Sequence, residues 1–399
     1  MDNFKAIKIT DRVYWVGVID WTLRDFHGYE TPRGSTYNAY LVMGEKPVLI
    51  DTVKAPFKDE FIARISSVID PGKIKYIISN HTEMDHSGLI PDMIDWIKPE
   101  KVFASIKGQE ALNQHFRLKR EITAVKDKET MKLGDLNFTF IEARMLHWPD
   151  SMFTYFNDEK VLFSSDGFGM HLATSQRFDD ELDPSILEYE AKKYYANIIQ
   201  PYAPVVLKAL EKIGGMNLEF RFIAPDHGPV WRKDIKKILA LYQQWAEQKP
   251  ARKALVVYDT MWQSTAKMAN AIADGLIKSG ISTRVMKLRE SHRSDVIAEA
   301  IDAGALVFGS PTINNNLFPT LADTLIYLKG LRPQNKIGAV FGSYGWSGES
   351  TKYLKEMLEA MKIPVLGEIQ AQYVPTEEIL GQCWALGVKI ADKLKETVK

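Results

Sequence analysis

Ser79–Gly88 reads SNHTEMDHSG and closes the apolar run KIKYIIS at 73–79. A short apolar run bounded by polar turn residues predicts a buried strand, and the decapeptide is then the loop that leaves it. His81, Glu83, Asp85 and His86 crowd into that loop. Three more strand-like runs end the same way: MLHWPDSM carries His147, FSSDGFG carries Asp166 and APDHGPV carries His227. One histidine or carboxylate beside a strand is ordinary, because it can bond the backbone or cap a turn. A set of this size at strand ends is different, since burying so much polarity without a cation to pair it is costly. His81, Glu83, Asp85, His86, His147, Asp166 and His227 therefore predict a metal site.

Composition narrows the ligand chemistry. Cys383 is the only cysteine among 399 residues, so there is no intramolecular disulfide and no CxxC pair for zinc or iron–sulfur. Any metal is held by imidazole and carboxylate. Lys and Arg number 51 and Asp and Glu 51, a zero net charge that argues against a general grip on nucleic acid or anionic membrane. No apolar run approaches the roughly 20 residues that span a bilayer. The opening MDNFKAIKIT has neither the apolar core nor the cleavage site of a secretory signal, and the expected location is cytoplasmic.

Length predicts two domains, and the rhythm of the chain changes between them. Up to about Gln248 strand-like runs dominate, among them YNAYLVMG, PVLIDT, LNFTFIEA and KVLFSSD, with helices expected near 57–69, 89–97 and 184–213. This reads as a sheet-rich α/β sandwich. A polar helix end at QQWAEQKPARK puts the boundary near Pro250, giving domains 1–250 and 251–399. After it, KALVVYD, STRVMKL, GALVFGS, KIGAVFG and PVLGEIQ alternate with five helical stretches. That alternation predicts an open, doubly wound parallel sheet, which binds ligands at the carboxyl ends of its strands.

Three loops at such ends are candidates for a cofactor. YDTMWQST supplies Thr260, Met261, Trp262, Gln263, Ser264 and Thr265, with hydroxyls and a helix start suited to a phosphate dianion. The absence of GxxxxGK[ST] argues against a nucleoside triphosphate. GSPTINNN supplies Pro311, Thr312, Ile313, Asn314 and Asn315, whose amides can read a polar ring edge. GSYGWSGES supplies Ser343, Tyr344, Gly345, Trp346, Ser347 and Gly348. Trp262, Tyr344 and Trp346 are the rings available to cover a planar heterocycle. From about Lys253 to Leu394 the chain resembles flavodoxin, which implies FMN. It departs in the first loop, where Trp262 and Gln263 stand in place of a glycine.

From about Lys5 to Trp245 the chain resembles the metallo-β-lactamase superfamily, with its αββα sandwich and HxHxDH motif. The resemblance implies that His81, Glu83, His147 and Asp166 hold one metal. Asp85, His86, Asp166 and His227 hold the other, and Asp166 bridges the pair. Glu83 stands where the hydrolases have a second histidine. An anionic oxygen in place of a neutral nitrogen makes the site harder and favours iron over zinc.

The two halves in this order resemble the flavodiiron proteins, also called A-type flavoproteins or rubredoxin:oxygen oxidoreductases. What the resemblance implies is an enzyme with FMN and two non-haem irons that reduces dioxygen to water, nitric oxide to nitrous oxide, or both. It also implies a separate donor such as rubredoxin, because the sequence carries no cysteine-rich extension. A head-to-tail homodimer or a dimer of dimers is expected, bringing flavin and iron of different chains together. His27, His171 and Tyr195 are candidates to surround the metals and hand on protons. Two rival readings remain open from sequence. One is a dizinc hydrolase with a flavodoxin-like appendage; the other is a non-catalytic FMN redox carrier or sensor.

Overall fold

The computed structural model describes residues 4–398, and Lys399, where the sequence ends, lies outside them. The chain divides into two compact units, 1–195 with 204–243 and 196–203 with 244–399.

The first unit is built on two sheets. The seven-stranded one runs in the order Ile7–Lys8, Val13–Trp15, Tyr40–Val42, Val48–Ile50, Tyr76–Ser79, Lys101–Ser105 and Thr123–Val125. It is antiparallel up to Val48–Ile50 and parallel from there on. The five-stranded sheet takes Thr130–Leu133, Leu136–Glu142, Met152–Phe156, Val161–Phe163 and Phe222–Ala224 in chain order. Tyr40, Ile50, Ile78 and Phe103 from one sheet meet Phe138, Phe140, Phe156 and Phe163 from the other in a single buried cluster. The opposite face of the larger sheet, through Leu41, Leu49, Ile77 and Val102, packs on Phe61, Ile65, Ile90, Met93 and Leu112 of flanking helices. Strand residues buried on both faces read as continuous apolar runs rather than alternations, as YIIS at 76–79 does.

The helix expected over 184–213 is interrupted. Pro184–Tyr194 is helical, a single π turn covers Tyr195–Ile199, a 3₁₀ turn covers Gln200–Tyr202, and Ala203–Gly215 resumes the α-helix. Pro201 and Pro204 lack the N–H that a continuous ladder needs there. Helix Ile106–Phe116 went unread in the sequence, although Ser105 caps it by accepting from Gly108 N at 2.9 Å.

In the second unit the strands Ser282–Lys287, Ala251–Tyr258, Ala303–Pro311, Ile337–Tyr344 and Val365–Gln372 lie side by side in that order, all parallel. The strand order reverses at Ala251–Tyr258, so a crevice opens at its carboxyl end beside Ala303–Pro311. The first and last helices, Ser264–Lys278 and Glu377–Thr397, pack on one face through glycines. A Cβ on Gly275 would lie 2.2 Å from the Trp384 carbonyl oxygen, and one on Gly387 2.2 Å from that of Ile272. Larger residues at either position would push the helices apart.

Candidate metal centre and cofactor pocket

The strands of the first unit deliver their carboxyl ends to one edge of the sandwich. Met152 N donates to Asn80 O at 3.0 Å and Asp226 N to Ser165 O at 2.8 Å, tying the ligand-bearing segments together in two pairs. After Ser79 the chain makes one helical turn, Met84–Ser87, with His86 N and Ser87 N both donating to Glu83 O. The turn aims the adjacent side chains of Asp85 and His86 into one space: His86 Nε2 is 3.4 Å from Asp85 Oδ1.

Two donor clusters result. His81 Nε2 is 3.4 Å from Glu83 Oε2 and 3.4 Å from Asp166 Oδ2, and His147 Nε2 is 3.2 Å and 3.0 Å from the same two oxygens. On the other side of Asp166, Oδ1 is 3.2 Å from His86 Nε2 and 3.4 Å from His227 Nε2, and Asp85 Oδ2 is 3.3 Å from His227 Nε2. Donors about 2.1 Å from a shared ion stand about 3.0–3.4 Å apart, so both clusters have the spacing of a coordination shell. His81 Nε2, both Asp85 oxygens, His86 Nε2 and Asp166 Oδ1 are buried without a hydrogen-bond partner. Orphaned donors of this kind fit a pair of cations, and the clusters His81–Glu83–His147–Asp166 and Asp85–His86–His227 each have the make-up of a metal site.

The surrounding groups fix the rings. Asp150 Oδ2 accepts from His81 Nδ1 at 3.0 Å, from Thr82 N at 2.7 Å and from the Thr82 hydroxyl at 2.8 Å. The Thr36 carbonyl accepts from His227 Nδ1 at 2.6 Å. Each bond keeps a proton on Nδ1, so that Nε2 is the nitrogen free to present a lone pair inward once the ring is neutral. Burial disfavours a charged His81, yet its bonds to Asp150 and Glu83 win and raise it well above the ordinary histidine value. Burial likewise favours a neutral Asp166, and the facing His86 and His147 nonetheless hold its carboxyl far down. Removing the Asp150 charge with Asp150→Asn is expected to weaken metal retention about 10–100-fold, read by competition with a chelator. Asp150→Glu is expected to recover part of it.

His171 stands behind the second cluster, its Nδ1 2.8 Å from the Ser35 hydroxyl and its ring centre 4.7 Å from that of His227. Burial, with the His227 ring beside it, pushes His171 well below the usual value, so its ring is neutral. His27 sits at the rim on a tight hairpin between Asp25–Phe26 and Tyr29–Glu30, with Nε2 3.6 Å from Glu83 Oε1. Tyr195 does not face the clusters; its ring packs on Tyr242 at 5.0 Å. Its neighbour Tyr194 does, 5.1 Å from the His171 ring, with its hydroxyl directed to Asp166. The signal was present in the sequence: Leu187, Ala191 and Tyr194 follow the i, i+4, i+7 spacing of one buried helical face.

In the second unit a cavity of about 620 Å³ opens at the switch point, within the size range of cofactor sites. Met261, Trp262, Ser264, Pro311, Thr312, Asn314, Asn315, Ser343, Tyr344, Gly345, Trp346 and Ser347 line it. Trp262 and Trp346 are 90% and 86% exposed, large apolar rings left in water beside an open cleft. Thr260, Gln263, Thr265, Ile313 and Gly348 shape the loops without lining the cavity. Gln263 takes φ +68°, the left-handed conformation for which glycine is the easy choice, and leads directly into helix Ser264–Lys278. Behind the lining, the buried Thr260 hydroxyl has no hydrogen-bond partner, and the Thr265 hydroxyl meets that of the lining residue Ser343 at 2.8 Å, a group of hydroxyls that fits a phosphate. Tyr373 and Val374 form a fourth wall that sequence reading missed, directly after strand Val365–Gln372 and so at the same edge as the other three loops.

Comparison with known proteins agrees with both units. Residues 36–228 match the ODP family β-lactamase model and 256–387 the flavodoxin model. A rubredoxin-oxygen oxidoreductase of Megalodesulfovibrio gigas is 48% identical over 396 residues, covering 98% of both chains. The crystal structure of the flavodiiron protein from Giardia intestinalis superposes with a TM-score of 0.96 at 36% identity, covering 100% of this chain and 98% of that one. The chain belongs to the flavodiiron protein family. A second relative, a nitric oxide reductase of Moorella thermoacetica, is 46% identical over 397 residues, 98% of this chain and 100% of its own. The lactamase-like and flavodoxin folds of this flavodiiron chain are thus those expected from the sequence.

Proposed function

We propose that this chain is a flavodiiron oxidoreductase that reduces dioxygen to water, nitric oxide to nitrous oxide, or both, with electrons from rubredoxin or a similar donor. It would act in the cytoplasm as a homodimer or dimer of dimers, with the diiron domain over 1–250 and the FMN domain over 251–399. The observation that carries the reading is Asp166, whose two oxygens face two separate donor clusters. Among the described residues no helix is long and apolar enough to cross a membrane.

His81, Glu83, His147 and Asp166 would hold one iron, and Asp85, His86, Asp166 and His227 the other. Bound there, the irons supply redox-active positions for a diatomic gas, and FMN supplies stored electrons. The protein's own residues do the rest. Asp150 and the Thr36 carbonyl hold two histidines in the tautomer that presents Nε2. Phe26 and Tyr29 pack on His171 at 5.0 and 5.2 Å and keep water from its ring. Tyr194 holds its proton on the hydroxyl directed at Asp166, because burial and that carboxylate push its phenol well above the ordinary value. His27 offers a second protic group at the exposed rim.

The test is one preparation examined by metal analysis, visible spectrum and gas consumption with reduced rubredoxin. About two irons and one FMN per chain with turnover of either gas is expected. Two zincs without flavin would make the chain a hydrolase. Iron and FMN with neither gas consumed would make it a carrier or sensor.

A further inference from the structure

At the amino end of the second unit's sheet, opposite the flavin cradle, lies a cavity of about 370 Å³. Pro250, Gly304, Asn335, Leu394 and Val398 line it together with Lys336, which is only 5% exposed. Lys336 Nζ donates to the Ile301 carbonyl at 2.8 Å. The neighbouring carboxylates are engaged by another cation: Lys253 Nζ sits 2.7 Å from both Glu299 Oε2 and Asp302 Oδ1. A buried ammonium with one carbonyl contact and its acidic neighbours paired elsewhere is poorly compensated.

We propose that Lys336 is an acylation site, whose amine takes a small acyl group from an acyl phosphate or thioester and lodges it in this cavity. The Nζ lone pair attacks the activated carbonyl carbon and an N–C bond forms. The C–O bond to phosphate, or C–S bond to thiol, breaks and its electron pair leaves with that group. One nitrogen proton passes to the leaving group or to water. The product amide keeps one N–H, enough to go on donating to Ile301 O, and it removes the charge that the site holds badly.

Burial lowers the Lys336 amine to about 7, with Asp302 opposing and Lys253 reinforcing the shift. The other described residues lining the cavity bring no titratable side chain. At neutral pH a large fraction of the amine is therefore the free base, whereas an ordinary lysine near 10.4 is almost wholly protonated.

The test incubates the full-length, cofactor-loaded protein with acetyl phosphate at several values between about pH 6 and 9 and quantifies acetyl-lysine peptides by mass spectrometry. Lys352, with its side chain 70% exposed, is the internal reference. Lys336 is expected to acetylate at least about 10-fold faster than Lys352 near pH 7, with a rate that levels off by about pH 8. The Lys352 rate is expected to keep climbing. Modification of Lys352 with Lys336 left bare would overturn the proposal, as would a Lys336 rate that rises without levelling.

Discussion

Replacing Asp166 by alanine is expected to yield a chain that retains less than half the wild-type metal and consumes neither dioxygen nor nitric oxide. Its two oxygens lie within 3.4 Å of donors in both clusters, so a single truncation removes a ligand from each. It also leaves four facing histidines without their shared anion. Losing an outer partner such as Asp150 costs about 10–100-fold in metal affinity, and loss of a bridging ligand is expected to exceed that at both positions. Asp85→Ala is the comparison, because Asp85 contacts only the second cluster. Elemental analysis after gel filtration is expected to rank wild type above Asp85→Ala and Asp85→Ala above Asp166→Ala. Equal metal content in the two variants would show that Asp166 does not bridge.

Stripping the metal is expected to make the protein's thermal stability fall between about pH 7 and 9, by about 5 °C or more. In the metal-free fold burial opposes the charge on His81, His86 and His147, yet their carboxylate neighbours raise all three above the ordinary value. A raised histidine contributes stability that is full below its unfolded value, about 6.5, and is lost as pH climbs through the folded one. Asp51 works in the same direction: burial lifts it to about 6, so it loses ground as pH rises toward that value. Glu83 and Asp166 are depressed, so their contribution is present above the unfolded carboxylate value and disappears only as pH falls through the folded values, in acid. His171 is depressed and neutral in both states above about 6.5, so it adds nothing in this window. Lys336 has the opposite sign, stabilising as pH rises above about 7, and it acts equally with and without metal. The measurement is therefore the difference between metal-loaded and chelator-treated protein by scanning calorimetry. That gap is expected to widen with pH, because a bound cation requires deprotonated imidazoles and replaces the protons. A gap that narrows toward pH 9 would contradict the histidine–carboxylate account.

Much of the site was legible because residue type and strand-end position carry the chemistry. His81, Glu83, Asp85, His86, His147, Asp166 and His227 each follow an apolar run, and each joins a donor cluster, Asp166 facing both. The outer partners were not legible. Asp150 lies 69 positions from His81, and Thr36 lies 191 from His227, and nothing local marks either as the acceptor. Tyr195 is the tyrosine expected from the sequence, and the structure turns its neighbour Tyr194 toward Asp166 instead. Only the roughly 100° between successive helical residues separates their faces.

The sequence by itself determined the two rhythms of the chain, the parallel alternation after Pro250, the candidate ligand types and the polar loops at three strand ends. These are local properties, written in the period of apolar residues and the chemistry of turns. Only the tertiary structure decided that the two oxygens of Asp166 face separate donor clusters, that Tyr373 and Val374 close the cradle and that Lys336 is buried beside a cavity. Each depends on which distant segments pack against the residue, and burial of that kind is set by the assembled core rather than by neighbours in the chain.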